Sequence, residues 1–275
     1  MPTRKSAAPQ GAKDGHVFAW EDDPETAATA KPIERPVPDL KAPLAFRFEG
    51  KAIKPGAYPV NTEEFRYWVA AEALRRAADL WAPLLNSAQW HTGRLLPVIL
   101  DAGEDFNAYY DRNGLSFFHG AYGPGMVYSG ESPDILCHEL GHAVLDAIKP
   151  ELWGAASHEA AAFHESFGDI SSILSALQLD GFRDAVLNET QGRLYRNSRL
   201  SRLAEQLGNA IRAEFPDSVD RDSLRNAVNS FSYQDPISLP GTAPASQLSS
   251  EAHSFSRVFT GAFFEAFVAT LMVKA

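Results

Sequence analysis

Two polar pairs at helical spacing constrain this chain more than any other feature. His138 and His142 lie four residues apart, and so do Glu165 and Asp169. Each segment carries the marks of a helix. Ser132 precedes Pro133, a capping hydroxyl followed by a residue with no N–H to leave unpaired, and Pro150 closes the segment. Ser157 is placed to cap the second helix, and Gly181 lies past its expected end. Residues four apart share a helix face, so each segment presents a polar pair on one side and apolar residues on the other. Gly141 between the histidines costs about 1 kcal/mol relative to alanine in a helix, so a neighbouring element is expected to pass close there.

The chemistry follows from the spacing. Two imidazoles on one face can bind a single ion, and Glu139 beside them can take a proton from water polarised by that ion. A catalytic zinc takes three protein ligands and leaves a fourth position open. We assign His138, His142 and Glu165 to zinc. Asp169, one turn beyond Glu165, is expected to accept the remaining ring N–H of His138 and fix its tautomer. Cys137 points about 100° around the helix from His138 and reads as a small buried thiol rather than a fourth ligand.

The rest of the 275 residues sets the frame. Met1 to Pro43 is rich in Pro, Ala and charge, shows no period of 2 or 3.6, and reads as a disordered tail or linker. Thr62 opens an amphipathic helix running to about Ala82, with Phe65, Trp68, Val69, Ala73, Ala77 and Leu80 on its core face. Leu95–Leu100, Leu115–Phe118 and Met126–Tyr128 read as strands, and Gly120–Gly125 as a turn. Leu200, Leu203, Leu207 and Ile211 recur at helical spacing and predict a helix over Arg199–Phe215. Val258–Val273 is apolar but contains Glu265 and falls short of a membrane span, so it reads as a buried helix. No signal peptide is visible, which leaves a cytoplasmic or non-classically exported protein as the expectation. A net charge of -10 with scattered basic residues argues against nucleic acid as a partner.

The two metal-site helices together resemble the thermolysin-like zinc metallopeptidases, gluzincins in which a His-Glu-x-x-His helix precedes a Glu-x-x-x-Asp helix. The likeness covers about Leu95 to Val273. Asn107-Ala108-Tyr109-Tyr110 is similar to the family segment that hydrogen-bonds an extended peptide, which makes Asn107 and Ala108 substrate-binding. Asp222-Ser223-Leu224-Arg225 resembles the segment whose arginine binds a substrate carbonyl, and His253 looks like the family's oxyanion-stabilising histidine. The resemblance implies an α+β, zincin-like, two-lobed fold. A small mixed α/β lobe (44–149) carries the zinc helix, and a mainly helical lobe (150–275) carries the third ligand. It also implies a zinc-dependent metalloendopeptidase acting on peptide or protein substrates, with Glu139 and His253 catalytic. A metallopeptidase-like binding protein, or a hydrolase of a dedicated amide or single protein, is the alternative. Three departures stand out: no tyrosine lies between His142 and Glu165, no aspartate shortly precedes His253, and no dense acidic cluster supports calcium.

Overall fold

The computed structural model describes residues 15–24, 31–85 and 89–274, and the parts of the expected tail at 1–14 and 25–30 lie outside the described residues. The remainder of that stretch is not a tail. β1 (His16–Ala19) pairs antiparallel with β2 (Ile33–Pro36), and Val17, Ala19 and Trp20 are buried. Each strand is four residues long, too short for a period to show among the surrounding prolines. Their order comes from packing: Val17 sits against Trp68 and Ala71, and the Trp20 ring meets Phe65 edge-on at 5.5 Å.

β3 (Ala45–Phe48) leads to α1 (Glu63–Trp81), whose first turn is closed by the Thr62 hydroxyl accepting from the Phe65 N–H. Its expected face is buried except for Leu80, which is half-buried. β4 (Leu95–Ile99), β5 (Ala108–Tyr110) and β6 (Leu115–Phe117) complete a sheet of order β3-β4-β6-β5. β3, β4 and β6 run parallel, and β5 is antiparallel to β6 at the edge. The segment expected as a plain turn at 120–125 is a hairpin. β7 (His119–Tyr122) pairs with β8 (Gly125–Tyr128), and Gly123 at φ +56° turns the chain between them.

α2 (Pro133–Ile148) is capped as expected, Ser132 Oγ accepting from the Ile135 N–H. α3 (His158–Ala176) is capped by Ser157 and ends before Gly181, which lies inside the next helix, α4 (Asp180–Thr190). The helix expected over Arg199–Phe215 begins later. β9 (Arg202–Leu203) pairs with β10 (Arg225–Asn226), Ala204 adopts φ +52°, and only then does α5 (Glu205–Glu214) start. The chain closes with α6 (Ala252–Lys274), the one described helix long and apolar enough to cross a membrane by length and composition. Its mean hydropathy over that window is 1.3 and 44% of it is buried: Phe255, Val258, Phe264 and Val268 pack inward while Leu271 and Met272 are exposed. The expected buried helix is thus buried on one face only and gives no clear membrane span.

The result is a mixed α/β protein with six helices and several small sheets among the described residues. One apolar core lies between the β3-β4-β6-β5 sheet, α1 and α2, and a second gathers Ile173, Leu179, Phe182, Val186, Phe264 and Val268. α3 bridges them. Arg76 of α1 donates to the Ser175 carbonyl at 2.8 Å, and Trp81 stacks on Phe167 at 4.8 Å. Close approach at Gly141 is real: a Cβ there would stand 2.8 Å from the Gly168 Cα and 2.7 Å from Ser171 Oγ. Paired glycines thus let α2 and α3 meet backbone to backbone, which puts their polar faces in contact.

Candidate metal centre

At that contact the ligand atoms of His138, Glu139 and His142 all lie within 4.8 Å of one another, and all three residues are buried. α3 brings Glu165 between the two rings. Glu165 Oε2 is 3.3 Å from His138 Nε2, and Oε1 is 3.6 Å from His142 Nε2. Ligands of a tetrahedral zinc at ordinary bond lengths stand about 3.3 Å apart, so the spacing suits one ion. Glu165 Oε2 is buried and has no hydrogen-bond partner among the described residues. Two imidazole nitrogens converging on one buried carboxylate are a donor set that fits a divalent cation.

Asp169 stands behind His138, as expected: its Oδ1 faces His138 Nδ1 at 3.0 Å. Arg225 is not on a solvated surface. It is buried and forks onto Asp169, with Nη2 at 2.8 Å and Nε at 3.1 Å from Oδ1, while Thr260 donates to Oδ2 at 3.1 Å. The lone pairs of this carboxylate are therefore filled, as a buried charge requires.

The electrostatics show what balances the site. Burial and the neighbouring imidazoles push His142 down to about 3, against the pull of Glu165. Burial also disfavours charge on His138, yet Asp169 and Glu165 outweigh it and raise that ring to about 9. Burial lifts Glu139 to about 7, with Glu165 adding to the effect. Asp169 falls to about 2 because Arg225 and His138 overcome its burial, and Glu165 falls well below the usual carboxylate range through His142 and His138. Without a cation the site offsets its carboxylates with Arg225 and a proton shared by His138. A metal ion would take that proton's place, because a ligating imidazole must be neutral.

His253 also reaches the site, Nε2 lying 3.3 Å from Glu165 Oε2. Glu251 Oε1 faces His253 Nδ1 at 2.6 Å, so a glutamate partners this ring where the sequence offers no aspartate. Glu251 and Glu165 raise His253 above its ordinary value against partial desolvation of a side chain that is still 59% exposed. Asn107 and Ala108 line the same cleft as His138, Glu139, Arg225 and His253, a cavity of about 450 Å³. Asn107 Oδ1 accepts from the Ala108 N–H at 2.9 Å, fixing the start of edge strand β5. Cys137 points the other way, its Sγ 3.6 Å from the Ala73 carbonyl, and burial lifts its thiol to about 11.

Two features escaped the sequence. Asp22, Asp23, Asp134 and Glu205 form the acidic cluster that the linear sequence lacks. Its members come from three distant segments: Asp23 accepts from Ser132 Oγ and the Gln206 N–H, and Asp134 from the Ala204 N–H. Burial and mutual repulsion raise Asp22 and Asp134 well above the usual range, while Arg199 faces Asp22 at 3.5 Å. The second is His164, buried beside His142, which no spacing rule singles out.

No protein-family model and no curated protein matches the chain. A buried His-Glu-x-x-His group able to hold a metal ion is what stands on its own geometry.

Gly168 offers a direct test of that geometry. A Cβ there would lie 2.6 Å from the His138 ring, so Gly168→Ala must displace that ring rather than only loosen a helix contact. Metal affinity, measured by chelator competition, is expected to fall roughly tenfold or more with helical content unchanged.

Proposed function

We propose that this protein is a thermolysin-like zinc metallopeptidase with a zincin-like two-lobed arrangement. The observation that carries the reading is Glu165 set between His138 and His142, with Asp169 fixing His138 from behind. Three donors of this kind suit zinc with an open fourth position. When bound, zinc would supply Lewis acidity, polarising a substrate carbonyl and making nearby water more acidic.

The remaining work belongs to the protein. Glu139, buried beside His138 and lining the cleft, is suited to accept a proton from the attacking water and deliver it to the departing amine. His253, whose Nδ1 faces Glu251, is placed to donate from its other nitrogen to the oxyanion that develops on the scissile carbonyl. Arg225, anchored on Asp169, lines the cleft where a neighbouring carbonyl would lie. β5 is an edge strand, so an extended peptide can add to it beside Asn107 and Ala108. Ile135, Leu203, Leu207 and Leu224 line the cleft as well, which favours an apolar side chain next to the scissile bond.

A binding protein with the same centre is the second reading, favoured by the lack of a tyrosine between His142 and Glu165. Incubation with casein and a quenched peptide library separates the two. Cleavage abolished by a chelator and restored by zinc is the expected result. Bound zinc without any cleavage would support the binding protein instead.

A further inference from the structure

The two histidines of the centre are held in different ways. Asp169 fixes the outer nitrogen of His138, but His142 has no hydrogen-bond partner for its outer nitrogen among the described residues. What lies against the His142 ring is His164, at 5.6 Å between centroids and 30° between planes. His164 precedes Glu165 on α3, so the backbone that places the third ligand places this ring too. It is 7% exposed, and neither of its nitrogens has a hydrogen-bond partner among the described residues. Trp153 closes its far side edge-on at 5.6 Å.

Packing does not account for an imidazole here. A phenyl ring would fill the same slot between His142 and Trp153 without burying two unpaired nitrogens. Unpaired polar atoms grouped in one buried place are what a bound water satisfies. Resting on the metal-centre reading above, we propose that His164 is a positioning residue for His142. It holds that ring's outer nitrogen through one bound water, as Asp169 holds His138 directly. A neutral imidazole is suited to this because one nitrogen donates while the other accepts.

The test uses the full chain with His164→Phe, which keeps the ring and volume, and His164→Gln, which keeps a donor and an acceptor. Zinc dissociation constants come from chelator competition, the ligand field from the visible spectrum of the cobalt-loaded protein, and folding from thermal melts without metal. His164→Phe is expected to weaken zinc binding about ten- to a hundredfold and shift the cobalt bands, while melting at or above the wild-type temperature without metal. His164→Gln is expected to stay within about threefold of wild type. Unchanged zinc affinity in His164→Phe would overturn the role, since the ring alone would then suffice. So would a His164→Gln protein as weak as His164→Phe. Wild type that takes up no zinc would sink the metal centre itself, an outcome distinct from a loss confined to the Phe variant.

Discussion

Glu139→Gln is expected to bind as much zinc as wild type and to cleave peptides about a hundred- to ten-thousandfold more slowly. The substitution keeps the size and the hydrogen-bonding shape of the side chain but removes its capacity to take a proton. On the proposed ligand set Glu165, set between the two histidines, supplies the oxygen donor, so the variant is expected to keep the ion. Burial raises this carboxyl in the metal-free protein, and a nearby cation would favour the carboxylate form that a general base needs. Metal content and kcat measured on the same preparation read the two effects separately. Cleavage at the wild-type rate would remove Glu139 from the mechanism, and loss of the metal would make it a ligand.

The largest expected effect on stability is at Arg225. Arg225→Met keeps an unbranched apolar stem but removes the guanidinium, and leaves the Asp169 carboxylate, 1% exposed, with only His138 and Thr260. Removing one partner of a buried ion pair costs about 3–5 kcal/mol, far more than an exposed pair would. Denaturant unfolding of the metal-free protein measures it, and a loss under about 1 kcal/mol would mean the pair is not the buried fixture described. The pH dependence has a definite sign. Asp169 is held at about 2, below its ordinary 3.8, so its stabilisation is present above 3.8 and is lost as pH falls toward 2. Without Arg225 the carboxyl rises, and acid unfolding is expected to begin at a higher pH.

The parts of the site legible in the sequence are those fixed by local rules. A capping serine with proline behind it, and polar pairs four apart, gave α2 and α3 their positions and His138, His142, Glu165 and Asp169 their shared faces. Gly141 announced a close approach, though not that Gly168 would meet it. What could not be read came from long-range packing. β1 and β2 are too short to show a pattern, and only burial against α1 orders them. Leu200, Leu203 and Leu207 have helical spacing by coincidence. Leu200 and Leu203 enter the second core and Leu207 the first, with the left-handed turn at Ala204 between them. The Glu251 contact with His253 is local: its carboxylate also accepts from the His253 and Ser254 N–H groups at the start of α6.

The central claim is that Glu165 joins His138 and His142 around one ion. Metal content of the purified wild type beside Glu165→Ala tests it most directly, because nothing about substrate enters the measurement. One zinc per chain in the wild type and little or none in the variant, with helical content preserved, is the result this geometry predicts. A wild type that takes up no metal, or a Glu165→Ala protein that holds one zinc as tightly, would contradict it.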